Sequence, residues 1–84
     1  MKELRSKAMK KLLKQGKNLA KKNGKLPSEG SMINLIYKTL KNGWHYQVEH
    51  IYDLRVDKRK YVVVYAFKPG ARLGVADYYL REFI

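Results

Sequence analysis

The sequence predicts a single α+β domain: a basic N-terminal amphipathic helix, a second helix, an antiparallel β-hairpin or small sheet, and a short C-terminal helix. Three observations carry this. Apolar residues recur at helical spacing over residues 3–22 and again over 32–40. Residues 44–56 alternate between apolar and polar side chains, the period of a half-buried strand. Asn-Gly and Pro-Gly steps fall between these stretches and punctuate them.

From Glu3 to about Lys22 the chain is built mainly of Lys, Leu, Ala and Met, all good helix formers. At 100° per residue Ala8, Met9, Leu12, Leu13, Leu19 and Ala20 share one face, with Gly16 among them. Lys7, Lys10, Lys11, Lys14, Lys17, Lys21 and Lys22 share the opposite face as a ridge. Lys7/Lys11, Lys10/Lys14 and Lys17/Lys21 are like-charged i,i+4 pairs, each unfavourable by roughly 0.2–0.5 kcal/mol. Gly16 costs up to about 1 kcal/mol relative to Ala. Such a helix is marginal alone and is stabilised by docking, by an anion, or by both. Asn23-Gly24 and Pro27 end it. The organisation is thus a basic helical arm over residues 1–26 and a small α+β region over 27–84, one domain in all.

Ser28 or Ser31 is the expected N-cap of the second helix, with Met32, Ile33, Ile36, Tyr37 and Leu40 as its apolar stripe and Asn42-Gly43 as its C-cap. In the strand over 44–56, Trp44, Tyr46, Val48, His50, Tyr52, Leu54 and Val56 point one way. Asp57 to Lys60 reads as a polar turn and Tyr61 to Lys68 as a second strand. A four-residue turn pairs Val56 with Tyr61, Leu54 with Val63, Tyr52 with Tyr65 and His50 with Phe67, and sets Glu49 opposite Lys68. Ala76, Tyr79, Leu80 and Phe83 have the spacing of a terminal helix, and Leu73 to Ala76 has the alternative of a short third strand.

Composition bounds the function. The net charge is +12 in 84 residues, and the first 25 residues hold ten of the nineteen basic groups with one acid, Glu3. There is no Cys, which excludes a disulfide framework, a thiolate metal site and a Cys nucleophile. The longest apolar run, Tyr61 to Phe67, is far short of a membrane-spanning helix, and no apolar stretch follows the basic start as in a signal peptide. The expected location is cytoplasmic.

A cationic stripe on a small basic domain is the electrostatic footprint of nucleic-acid binding. Lys7, Lys10, Lys11, Lys14, Lys17, Lys21 and Lys22 are the expected phosphate contacts, and Lys58, Arg59 and Lys60 add a second cationic point at the hairpin tip. Lysines hold phosphates and read little sequence, so DNA and RNA stand equally. The competing reading is a protein-interaction module, an inhibitor or adaptor that docks on an acidic partner surface. A base-stacking platform of Trp44, Tyr46, Tyr52, Tyr61, Tyr65 and Phe67 is a further possibility, but this face is expected to be core beneath the second helix.

The residues point away from an enzyme and from any cofactor or metal. His45 and His50 have opposite strand parity and cannot share one ion. The one catalytic constellation is His50 with Tyr52, Tyr65 and a cation, suited to acid–base cleavage of RNA. Leu40-Lys41-Asn42-Gly43-Trp44, placed between a helix and strands followed by a last helix, resembles the start of HicA-type mRNA interferase toxins. That resemblance implies a fold similar to a double-stranded-RNA-binding domain and a small RNase-like toxin. The family has Gly-Ser or Gly-Thr before its catalytic His, whereas Val48-Glu49 precede His50 here.

Overall fold

The computed structural model describes residues 1–23, 30–53, 59–70 and 74–84. A short strand β1 (Lys2–Glu3) leads into helix α1 (Lys7–Asn23), and four strands follow: β2 (Met32–Thr39), β3 (His45–Asp53), β4 (Arg59–Phe67) and β5 (Tyr78–Phe83). They form one mixed sheet in the order β1-β5-β4-β3-β2. The last four strands are an antiparallel meander, and β1 adds in parallel to β5 at the far edge. The fold is therefore mostly β, with one described helix rather than the three expected.

Helix α1 forms within the expected stretch but starts at Lys7 rather than Glu3, because Lys2–Glu3 pair with β5 as a strand. Ser6 caps it, its Oγ accepting the Met9 amide at 3.2 Å and its carbonyl the Lys10 amide at 3.0 Å. Lys21 and Lys22 in the last turn suit the negative end of the helix dipole. The apolar face docks on the sheet: Met9, Leu12, Leu13 and Ala20 are buried in one cluster with Tyr46, Val48, Val62, Val64, Ala66 and Leu80. Gly16 is the closest point. A Cβ there would stand 2.5 Å from Val48 Cγ1 and 2.9 Å from Val62 Cγ1, so glycine is what lets the helix lie flat on the strands.

The expected second helix is strand β2. Its helical spacing has a specific origin, a β-bulge between Asn34 and Ile36. Ile33 pairs with His50 and Ile36 with Val48, so two residues three apart share the helix-covered face. In a sequence this i,i+3 repeat is indistinguishable from a helical stripe. Asn42-Gly43, read as a helix cap, is the turn of the β2–β3 hairpin. Gly43 has φ of 89°, its amide donates to the Leu40 carbonyl at 2.9 Å, and Asn42 Oδ1 accepts the Trp44 amide at 3.1 Å.

The expected terminal helix is strand β5. Tyr78, Leu80 and Glu82 pair with Ala66, Val64 and Val62, while Tyr79, Arg81 and Phe83 pair with Tyr65, Val63 and Tyr61. Three aromatic residues in six, Tyr78, Tyr79 and Phe83, suit a pleated surface better than a short helix. Residues 74–76 are not a strand, and the rest of the proposed third strand lies outside the described residues.

The β3–β4 hairpin exists, but its register is not the expected one. Tyr46 pairs with Ala66, Val48 with Val64 and His50 with Val62; Glu49 faces Val63, not Lys68. The described pairing ends at Asp53 and Arg59, Leu54 and Val56 lie outside the described residues, and the shift is odd in parity. Strand β4 reads Tyr-Val-Val-Val-Tyr-Ala-Phe across its apolar run and is apolar on both faces. Hydrophobicity therefore did not specify which face turns toward the core.

Candidate nucleic-acid interface

The sheet has two faces of different character. The covered face carries Tyr46, Val48, His50, Val62, Val64, Ala66 and Leu80 beneath α1, with Trp44 stacked between Tyr46 and Tyr78 at centroid distances of 6.4 and 6.2 Å. The other face has no helix over it among the described residues. There Tyr61, Val63 and Phe67 are still buried, because neighbouring side chains lie across the strands. The Arg81 guanidinium sits 5.3 Å above the Tyr61 ring and 5.7 Å above that of Phe83, and His45 leans on Phe67 at 5.4 Å. The six aromatic residues expected on one face are thus divided between two.

Docking of α1 turns its lysine ridge to solvent. Lys7, Lys10, Lys11, Lys14, Lys21 and Lys22 are all exposed. Lys17 is half-buried and pairs with Glu82 of β5. Lys60 lies on β4 with its ammonium 5.5 Å over the Tyr52 ring. Arg59 begins β4, while its side chain and Lys58 lie outside the described residues, so the hairpin-tip cluster is placed only at Lys60.

Between the helix and β5 runs a groove of about 410 Å³, lined by Arg5, Lys10, Lys14, Lys17 and one acid, Glu82, with Leu13 and Leu80. Two of its cations already have acids: Arg5 meets Glu3 at 2.7 Å and Lys17 meets Glu82. These are solvent-accessible pairs worth little, which a phosphate can displace. Arg5 is a member that the angular reading of the helix left out, since it precedes the regular turns. It becomes legible only once β1 is seen to anchor the chain along β5.

The catalytic constellation is not assembled. His50 is 3% exposed under α1, whereas Tyr65 projects from the opposite face of the sheet. Burial first and the Lys60 charge second hold the His50 pKa below its ordinary value, and its Nε2 has no hydrogen-bond partner among the described residues. His45 lies on the uncovered face, as parity requires.

A second concavity, of about 540 Å³, opens on the uncovered face, lined by Gln47, Glu49, Tyr65, Phe67 and Met1 among others. Burial raises the Glu49 pKa, and burial followed by the Glu49 charge raises that of Tyr65. No helix among the described residues is long and apolar enough to cross a membrane. No family model, curated protein or solved structure matches the chain. The HicA-type resemblance loses its basis as well, because residues 40–44 join two strands rather than following a helix.

Proposed function

We propose that this protein binds nucleic acid through the lysine-bearing side of α1, as a small accessory or regulatory protein. The observation that carries the reading is the segregation of charge. Six exposed lysines stand on the outer side of a docked helix, and a groove lined by four cations and one acid runs beside them. A rigidly seated helix presents these ammonium groups at fixed spacing, at no ordering cost to the backbone when a polyanion arrives. Contacts of this kind neutralise phosphates and release counterions, so they provide affinity with little sequence preference.

The test is a salt titration of binding to random duplex DNA and to RNA. With about six phosphates neutralised, log K falls against log salt with a slope near −5 on duplex DNA. Replacing Lys10, Lys14 and Lys21 by Gln lowers that slope by about 3. Absence of binding at low salt refutes the reading and redirects the lysine face to an acidic protein surface.

A further inference from the structure

We propose that the concavity on the uncovered sheet face is a pocket for an unpaired guanine base. This deepens the nucleic-acid reading and rests on it for the source of the base, but the pocket stands on its own geometry. Gln47 and Glu49 are alternate residues of β3, so their side chains rise from the same face about 7 Å apart. Tyr65, directly across from Gln47, and Phe67 supply aromatic surface in the same cavity.

The polar groups of this pocket offer the Glu49 and Gln47 oxygens as acceptors beside the Tyr65 hydroxyl and a Gln47 N–H. Thr39 Oγ1 lies 3.0 Å from His45 Nδ1, and Gln47 Nε2 lies 3.3 Å from His45 Nε2. With the His45 proton on Nδ1, donating to Thr39, Nε2 accepts from the Gln47 amide. That chain spends one Gln47 N–H on His45 and leaves Oε1 as an acceptor and the second N–H as a donor. The Glu49 carboxylate receives no hydrogen bond and no ion pair from the described residues. The complementary ligand is planar, stacks on aromatic rings and presents adjacent N–H donors.

Guanine meets that description. Its N1–H and N2–H₂ groups lie side by side on the Watson–Crick edge and match the two oxygens of a carboxylate. Adenine and cytosine each set an acceptor nitrogen beside their amino group, and uracil flanks its one N–H with two carbonyls. Each of these would turn a lone pair toward an ionised Glu49. A duplex hides the same edge in base pairing, so the ligand is single-stranded.

The pocket and the cationic groove communicate around one edge of the sheet. Met1 lines the pocket and Arg5 lines the groove, with exposed Lys2 of β1 between them. Four residues span no more than about 14 Å. A strand crossing β1 therefore reaches from base pocket to lysine ridge.

The experiment is a ¹H–¹⁵N amide titration of the full chain with guanosine, which carries no phosphate, beside uridine, cytidine and N-acetylarginine amide. Guanosine is expected to shift Gln47, Glu49, Tyr65 and Phe67, and uridine and cytidine are not. In parallel, a uridine heptamer with one central guanosine is expected to bind at least tenfold tighter than the all-uridine heptamer. Glu49→Gln brings that ratio to about one with the salt slope unchanged, whereas the lysine variants weaken both heptamers alike. Equal binding of the two heptamers together with no guanosine shifts overturns the pocket and leaves the phosphate reading standing. Guanosine shifts without heptamer binding keep the pocket and refute the phosphate reading. Shifts from the arginine amide alone overturn the proposal, marking the face as a contact for a protein guanidinium.

Discussion

Gly16→Ala is the sharpest test of how the helix is seated. Elsewhere on an exposed helix this change would stabilise, since alanine gains up to about 1 kcal/mol of helix propensity. Here the new methyl would lie 2.5 Å from Val48 Cγ1 and 2.9 Å from Val62 Cγ1. Carbon atoms in contact prefer about 3.5–4.0 Å. Both valines are fully buried, so neither can swing away, and the middle of α1 must lift by about 1 Å. Overpacking of this kind costs about 1–3 kcal/mol. At the upper end of that range, set by the 2.5 Å approach, the net loss is about 2 kcal/mol. In a domain of this length that lowers Tm by about 8–16 °C. Thermal unfolding followed by circular dichroism reads it directly. Val48→Ala removes the methyl that collides, so the double variant loses at least about 0.5 kcal/mol less than the two single losses combined. A Tm that holds or rises in Gly16→Ala, or strict additivity in the double variant, refutes the close approach.

Two further predictions concern titration. His50 is neutral when folded, with a pKa held below the usual 6.5 by burial and by Lys60. Its contribution to stability is complete above about pH 6.5 and is lost as pH falls through the lowered folded value. Tm therefore declines from pH 7.5 toward pH 5, and His50→Leu flattens that decline; an unchanged profile refutes the assignment. Glu49 has the opposite sign. Its folded pKa is raised above 4.5, so its favourable contribution is present below that value and fades as pH rises and the buried carboxylate ionises. Glu49→Gln is expected to raise Tm slightly at pH 7.5, and a clear loss of stability there would show that Glu49 has a structural partner. A gain would mark the native carboxylate as one kept at a cost to stability, as binding groups are.

The parts of this fold legible in the sequence are those where one physical signal acts alone. Helix α1 has a period of 3.6 and a lysine ridge opposite an apolar face, and it forms over Lys7–Asn23 within the stretch that carries this pattern. That its apolar face docks over Val62, Val64 and Ala66, while Ile51 sits on the uncovered face, is seen in the structure. The misread elements are those where two signals coincide. Asn42-Gly43 is equally a helix cap and a hairpin turn, and the bulge between Asn34 and Ile36 gives β2 a helical repeat. A chain that is apolar on both faces, as β4 is, carries no parity information, and the register error followed from that. The same error hid the Gln47–Glu49–Tyr65 pocket, because it placed Tyr65 beneath a helix. Alternation within 44–52 held the needed clue: Gln47 and Glu49 share a face that an uncovered sheet leaves open.

The lysine ridge and the docked helix are one energetic arrangement. Three like-charged i,i+4 pairs cost roughly 0.2–0.5 kcal/mol each, and no acid of α1 relieves them. Burial of Met9, Leu12 and Leu13 on the sheet returns about 1.5–3 kcal/mol per side chain, several times the repulsion even after allowance for a compact unfolded state. The helix can therefore keep its positive side unneutralised in the free protein. Intrahelical acids would relieve the repulsion but would occupy the ammonium groups, as Glu82 already occupies Lys17. Because docking holds the helix, its lysines need no internal partners; under the proposed function, the free energy of neutralising them is what a polyanion gains. Gly16 makes that possible at the level of single atoms, since it brings the helix close enough to the valines for Met9, Leu12, Leu13 and Ala20 to be buried.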